Sequence, residues 1–403
     1  MSLLISVGWI ASLTVAVALL ATINARLHHS LGSLVQLTPP QAETDPDRLS
    51  ELTVIVPAYN EAANVVACLS SILDSTPAPI QVWLVDDVST DTTWELAEAL
   101  AAERGDPRLR LWKGQPRPID QIWAGKNWAC AQVASQFTRE YVLFIDCDVR
   151  LRPGALEAAL ETAKRTQADL LTVGPDIVCG CLAEWVVQPI MVVLLAVGYD
   201  FATVNHADGS AAFAFGPFML FRRPAYQSIG GHAAIADQIV EDVQLARRIR
   251  QSGSRLILCM SGGLVTTRMY QDAQSLWEGW SKNWFLGLGE SWFLALLSAL
   301  GLIWVGSLPW LGLVVGMGMA IRELPPWEWV LLLSGLGIGG QVGLRWQLQH
   351  WMRLPMHYTW LTGLAGLWTA AIALSSAYKT STGRGWTWRG RILHKPGQST
   401  STS

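Results

Sequence analysis

Asp146-Cys147-Asp148 sets two carboxylates at i and i+2, directly after the apolar run from Tyr141 to Ile145. On an extended chain side chains at that spacing point the same way, so the pair is expected to converge on one cation. Hard divalent ions such as Mg2+ take oxygen ligands and share them with substrate phosphates. Asp146 and Asp148 are therefore candidate metal ligands, with Asp146 also beside a diphosphate. A solvated acidic turn is the structural alternative, but two further acidic groups at strand ends upstream favour chemistry. They are Pro57-Ala58-Tyr59-Asn60-Glu61 and Asp86-Asp87-Val88-Ser89-Thr90-Asp91, where carboxylates over a crevice would hydrogen-bond the base and ribose of a nucleotide. In the plainer reading Asp91 caps the next helix and Asn60 closes a turn, and both readings are compatible.

Gly125-Lys126-Asn127 precedes a helical stretch, and Lys126 there would approach a diphosphate as a point charge. Glu241-Asp242 begins an amphipathic helix in which Val243, Leu245, Ala246 and Ile249 alternate with Arg247, Arg248 and Arg250. Acidic residues suit a first helical turn, yet a carboxylate with a reference pKa of ~4 is also ionised near pH 7 and fit to act as a base. The stretch from Phe215 to Arg223 and Gly230-Gly231-His232 would wall an acceptor pocket, with His232 read as structural. Arg268 and Lys282 would hold phosphate, in a region whose Trp277, Trp280 and Trp284 suit a membrane interface.

These groups need a scaffold. Leu52 to Val56, Ile80 to Val85, Leu109 to Trp112 and Tyr141 to Ile145 read as strands, alternating with helical stretches at Ala62 to Leu73 and Trp94 to Glu103. Short apolar strands alternating with helices predict an α/β domain, a mostly parallel sheet covered by helices on both faces. Ligands in such sheets bind beyond the carboxyl ends of the strands.

Composition adds a membrane. The 403 residues are 51% hydrophobic and only 15% charged, against about a quarter charged in soluble proteins. The net charge of −3 gives no reason to expect a nucleic-acid partner. Six cysteines without a paired zinc spacing read as reduced, packed thiols. No charged side chain occurs from Met1 to Ala25, long enough to cross ~30 Å of hydrocarbon. It reads as an uncleaved anchor, because a cleaved signal peptide has a basic start and an apolar run of only ~7 to 15 residues. Three more segments, Ser291 to Ile321, Trp329 to Leu344 and Leu354 to Tyr378, are candidate transmembrane helices. The organisation expected is an anchor at 1–25, a linker at 26–50, a catalytic domain at 51–290, membrane segments at 291–378 and a basic, partly disordered tail at 379–403. The run from Trp185 to Val197 would be an interfacial helix near 185–204, since a full crossing there would part the acidic motifs. Positive-inside reasoning places the domain in the cytosol. Three full crossings would then leave Lys379, Arg384, Arg389, Arg391 and Lys395 outside, so Ser291 to Ile321, with Pro309, is the candidate for a re-entrant segment.

Taken in order, PAYNE, VDDVSTD, GKNWA, FIDCDV, the stretch from FGPFMLFRR to GGH, and VEDVQLARRI resemble the family 2 glycosyltransferases of GT-A fold, over about Leu52 to Trp284. The resemblance implies nucleotide binding by Asp87 and Glu61, a DxD element of Asp146 and Asp148 meeting metal and diphosphate, and Asp242 as catalytic base. It implies Mg2+ or Mn2+ as cofactor, a nucleotide diphosphate sugar, with a UDP-sugar as first expectation, and inversion by direct displacement. The RMY element, EGWSKNW, the hydrophobic segments and the tail from Gly385 to Arg391 are similar to bacterial transferases that glycosylate carotenoids, and to hopanoid-associated relatives. A lipid or isoprenoid acceptor in a bacterial cytoplasmic-type membrane follows. Processive synthases carry QxxRW where this chain has Gly279-Trp280-Ser281-Lys282-Asn283-Trp284, which argues against polysaccharide synthesis. The competing readings are transfer to polyprenyl phosphate or glycerolipid, and a non-catalytic membrane scaffold.

Overall fold

The computed structural model describes residues 3–39, 46–118, 121–206, 209, 211–382, 386–388 and 391–393. Part of the expected linker, and Arg384, Gly385, Arg389, Gly390 and Lys395 of the basic tail, lie outside the described residues.

In chain order the strands are β1 (Val35–Gln36), β2 (Leu52–Ala58), β3 (Gln81–Asp86), β4 (Leu109–Lys113), β5 (Tyr141–Ile145), β6 (Val149–Leu151), β7 (Leu170–Gly174), β8 (Asp176–Ile177), β9 (Phe218–Arg222), β10 (Leu256–Met260), β11 (Val265–Thr267), β12 (Trp386–Trp388) and β13 (Arg391–Leu393). The helices are α1 (Leu3–Gly32), α2 (Val65–Asp74), α3 (Thr93–Arg104), α4 (Gly125–Gln132), α5 (Ala155–Thr166), α6 (Leu182–Gly198), α7 (Phe201–Val204) and α8 (Arg223–Ser228). They continue as α9 (Glu241–Gln251), α10 (Ala273–Gly287), α11 (Trp292–Leu302), α12 (Leu308–Ile321), α13 (Trp327–Met352) and α14 (Thr362–Ser381). The chain divides into an α/β unit, residues 34–178 and 201–269, and a helical unit, residues 3–33, 179–200 and 270–393.

In the α/β unit the apolar runs pair into an eight-stranded sheet of order β1-β10-β7-β9-β5-β2-β3-β4. Every neighbouring pair is parallel except those made by β9, which runs antiparallel between β5 and β7. The mostly parallel α/β expectation is borne out. All five residues of β5 are buried, as are all five of β7 and β10, so these strands are apolar throughout rather than alternating. Val65, Cys68, Leu69, Ile72 and Leu73 form the buried stripe of α2 at helical spacing. The strands β7, β9 and β10 were not placed by the periodicity reading, which took Phe215 to Arg223 as pocket wall; β9 is a central strand.

The thiols are as expected: all six cysteines are free and five are buried.

In the helical unit, α1 does not stop at Arg26 but runs to Gly32, because no glycine or proline intervenes between Arg26 and that residue. Three helices, Ile5–Gly32, Trp292–Ile321 and Thr359–Ser381, are long and apolar enough to cross a membrane. The segment from Trp292 to Ile321 is one continuous helical stretch with a π turn at Ile303–Ser307. Pro309 has no N–H to give to the carbonyl of Val305, and the turn widens so that Leu308 N–H reaches Ile303 O. The carbonyls of Val305 and Gly306 accept hydrogen bonds from the buried Gln341 amide at 2.7 and 2.8 Å. Small residues let the helices approach: an added Cβ at Gly306 would lie 2.8 Å from the backbone of Gly366 on α14.

Candidate active site

The site belongs to the α/β unit and forms where strand ends meet helix starts. Parallel pairing of β2 with β3 puts Ala58 opposite Asp86, and Asp87 N–H donates to Ala58 O at 2.7 Å. The two loops beyond are tied together: Asn60 N–H donates to Ser89 Oγ at 3.0 Å, Thr90 N–H to Asn60 Oδ1 at 2.9 Å, and Ala62 N–H to Asp91 Oδ2 at 3.2 Å. Asp91 and Asn60 thus hold turns. Val88 is forced to φ +59°, a conformation that costs a β-branched residue free energy. Glu61, nearly buried, accepts from Asn64 Nδ2 at 2.9 Å. Asp86 Oδ2 accepts from Ser89 N–H at 3.1 Å, while its Oδ1 is buried without a partner. Asp87, 3% exposed, pairs with Arg117 at 2.9 Å. Pro57, near the end of β2, and Tyr59, on the loop after it, are half-buried.

Asp146 follows β5, whose last residue Ile145 pairs with Phe218 of β9, so Gly216 and Pro217 arrive at the same edge. Val149 N–H closes on Asp146 O at 3.1 Å. The acidic triplet is therefore a tight turn and not an extended chain, which corrects the geometric reason for expecting its two carboxylates to point one way. Cys147 goes inward, 1% exposed. Asp148 Oδ1 accepts from Thr267 Oγ1 at 3.1 Å, and Arg268 N–H reaches Asp148 O at 3.4 Å, because β11 pairs antiparallel with β6. Arg268 is thereby set beside the triplet. Lys282 lies on α10 in the helical unit.

Lys126 is the hub. Its Nζ lies 2.6 Å from Asp146 Oδ1, 2.7 Å from Glu241 Oε1 and 3.2 Å from Gly216 O. Asn127, fully buried, positions it by donating to Ile235 O at 2.7 Å and Gln238 O at 2.9 Å, which fastens α4 to the loop before α9. Burial opposes the Lys126 charge, but the carboxylates of Asp146 and Glu241 more than offset that and hold the ammonium well above its ordinary range. Glu241 is held below its ordinary value: burial works against its charge, and Lys126 overcomes it. Asp242 accepts from Gly216 N–H at 3.0 Å and from Val243 N–H at 2.7 Å. A Cβ on Gly216 would lie 3.0 Å from Asp242 Oδ2, so a larger residue there would press on that carboxylate. Burial, aided by the charge of Glu241, pushes the Asp242 carboxyl up to about 7, despite Lys126 and the two amides. The expectation of an ordinary, fully ionised carboxylate there is corrected: beside an ionised neighbour in a buried site, the second charge is disfavoured. The buried Cys130 thiol is pushed far up by burial first, and it feels Lys126, Glu241, Asp146 and Asp87 together.

His232 is structural, as expected. It is buried among Phe144 and Tyr226, and Tyr226 Oη, which accepts from His232 N–H at 3.1 Å, lies 2.7 Å from Nδ1. Burial drops it to about 3. Gly231, at φ +52°, permits this packing, since a Cβ would come 2.5 Å from the tyrosine ring. Arg117 carries no local signal in the sequence, being a lone arginine between two prolines, and the anchoring role of Asn127 beside Lys126 is not legible there either.

Among the described residues, no three His, Cys, Asp or Glu side chains form a metal cluster. The residues present still fit Mg2+ or Mn2+, which commonly uses one or two carboxylates and takes its other oxygens from substrate phosphates and water. Asp146 keeps 31% of its side chain exposed and so can share its oxygens.

Residues 53–230 match the family model "Glycosyl transferase family 2". Over that stretch the chain is similar to the family 2 glycosyl transferases. Glu241 and Asp242 lie just past the matched stretch. The chain is 30% identical over 243 residues to 4,4'-diaponeurosporenoate glycosyltransferase of Staphylococcus aureus (strain USA300), covering 59% of this chain and 62% of the relative. It thus spans less than two thirds of the length of the curated relatives it matches. The mannosyltransferase PcManGT from Pyrobaculum calidifontis, solved with GDP-Man and Mn2+, superposes with a TM-score of 0.52 at 17% identity, over 93% of this chain and 99% of that one. At that identity the likeness shows a shared fold.

Proposed function

We propose that this chain is an inverting glycosyltransferase that moves a sugar from a nucleotide diphosphate sugar to a lipid-type acceptor in a membrane. The observation that carries the reading is Asp242, a carboxyl placed near neutrality in the same buried site as Lys126, Asp146 and Glu241. A general base works best when its pKa lies near the working pH. The similarity to family 2 supports the reaction class, and the staphylococcal relative, named for a carotenoid acid, supports an isoprenoid acceptor.

The nucleotide lies over the ends of β2 and β3, with Pro57, Tyr59, Glu61, Asp86 and Asp87 around base and ribose. Arg117 holds the Asp87 side chain in place. The diphosphate lies at the turn after β5, against Asp146, Asp148 and Arg268, with Lys126 as a further cationic group. Asp148 and Asp146 would hold Mg2+ or Mn2+, which when bound neutralises charge growing on the diphosphate leaving group. The acceptor oxygen bonds to the anomeric carbon from the side opposite the breaking C–O bond. Its proton passes to Asp242, whose orientation Gly216 N–H and Val243 N–H maintain. Glu241 keeps Lys126 in place and raises the proton affinity of Asp242. The catalytic domain faces the cytosolic side of a bacterial cytoplasmic-type membrane, and the apolar helices anchor it there. A UDP-sugar is the first donor to try, with GDP-mannose second, since PcManGT was solved with that donor.

Membranes containing the chain are incubated with labelled UDP- and GDP-sugars, and the labelled lipid is extracted and its anomeric configuration determined. An inverted lipid glycoside is expected, and Asp242→Asn should still bind the donor while making no product. Retained configuration, or unchanged turnover in that variant, overturns the proposal.

A further inference from the structure

The helical unit contains a cavity of about 280 Å3, walled mainly by apolar side chains of α1, α6, α13 and α14 and by the π turn. One charged group lines it, Arg345 of α13, only 6% exposed. Its Nη2 donates to the carbonyl of Trp185 at 3.3 Å, and its Nε has no partner among the described residues. No carboxylate of the described residues pairs with it. A guanidinium keeps its charge in proteins. A buried, uncompensated cation in apolar surroundings is costly, and such residues mark sites that take an opposite charge. Of the other polar groups on the wall, Gln341 is already committed to the carbonyls of Val305 and Gly306 and to the Trp310 indole, Ser298 and Thr362 donate to the carbonyls of Ala295 and Thr359, and Tyr358 brings a neutral hydroxyl. An added Cβ at Gly301, also on the wall, would meet nothing within 4 Å, so apolar volume is free there.

We propose that this cavity binds an amphiphile made of an apolar chain and one anionic end group, a carboxylate or phosphate, with the anion on the Nε edge of Arg345. A planar guanidinium edge matches such an oxyanion with two parallel hydrogen bonds. Neutral lipids would leave Arg345 uncompensated and bind less well. The ligand's chemistry could come from an acidic acceptor or from a resident anionic membrane lipid. The inference does not depend on the transferase reading, since its main readout is binding.

The full chain is purified in neutral detergent and titrated with a fluorescent long-chain fatty acid, with the methyl ester of the same probe as neutral control. The acid is expected to bind about tenfold tighter than the ester. Arg345→Gln should abolish that preference and leave ester binding intact, Arg345→Lys should keep part of it, and Gly301→Leu should weaken both probes. Equal affinity for acid and ester in the unaltered chain overturns the proposal, as does an Arg345→Gln protein that keeps the preference. Should Arg345→Gln fail to fold, the acid-to-ester ratio and Gly301→Leu decide, and undiminished binding in Gly301→Leu overturns it. Competition of the acid against labelled transfer assigns the site to the acceptor. Binding without competition, with anionic lipid displaced from the purified protein, assigns it to a resident lipid.

Discussion

Replacing Glu241 by Gln should carry the acidic limb of the pH–rate profile to lower pH, and replacing Lys126 by Met should carry it the other way. The Asp242 carboxyl is raised from its ordinary 3.8 to about 7, a difference worth about 4 kcal/mol at ~1.4 kcal/mol per tenfold. Burial does most of this, Glu241 adds to it, and Lys126 with the amides of Val243 and Gly216 subtracts. With a value near 7, about half the molecules hold an ionised base at pH 7 and about a tenth at pH 6. The profile of kcat/KM, which reports the free enzyme, should therefore fall about tenfold per pH unit below about 6.5. Glu241→Gln removes a like charge and leaves Lys126 to act more strongly on Asp242, so the limb should move down by about one unit. Lys126→Met removes the opposing cation, so the limb should move up by a similar amount. Initial rates of labelled sugar transfer at subsaturating substrate, taken from about pH 5 to 9 for the three proteins, give the test. A wild-type limb in the ordinary carboxylate range near ~4, or both variants moving the same way, would refute the electrostatic argument.

His232 and Asp242 load stability in opposite directions over one pH window. The histidine, dropped to about 3, contributes stability that is complete above its unfolded value of ~6.5 and is lost as pH falls toward 3. Asp242, raised to about 7, contributes most below its unfolded value and loses it as pH rises toward 7, so the two nearly cancel. In Asp242→Asn the histidine slope is uncovered, and unfolding free energy should drop by about 2 kcal/mol between pH 6.5 and 5; a flat denaturation series in that variant would be the contrary result. Val88→Gly should stabilise the α/β unit by about 1 kcal/mol, because Val88 sits at φ +59° and is 39% exposed, so little burial is forfeited. Thermal unfolding reads this directly, and an unchanged or lowered Tm would show that the loop carries no such strain. Gln341→Leu keeps the volume but leaves the carbonyls of Val305 and Gly306 without donors, at roughly 2–4 kcal/mol for the two. A Tm in detergent equal to that of the unaltered chain would contradict this.

How far the sequence went, and where it stopped, follows the range of the forces involved. Apolar runs and helical spacing act within about ten residues, and they were enough to mark β2, β3, β4 and β5, the α2 and α3 stretches, and the apolar helices. The acidic residues at strand ends were equally legible, because a parallel sheet with helices on its faces leaves its strand ends as the open edge. The ordered motifs carried the family 2 resemblance for the same reason, being local in themselves. What only the tertiary structure decided is which charges meet. Lys126 joins Asp146, twenty residues away, and Glu241, more than a hundred away, through the antiparallel insertion of β9 and the anchoring of Asn127. That burial moves Asp242 to about 7, turns Asp146-Cys147-Asp148 into a closed corner, and sets Arg117 on Asp87. Arg345, which directly follows the apolar run from Trp329 to Leu344, likewise becomes a cation walled into an apolar cavity only once α1, α6 and α14 have packed around it. Solvation and pairing are set by neighbours brought from distant parts of the chain, and a residue's type does not record them.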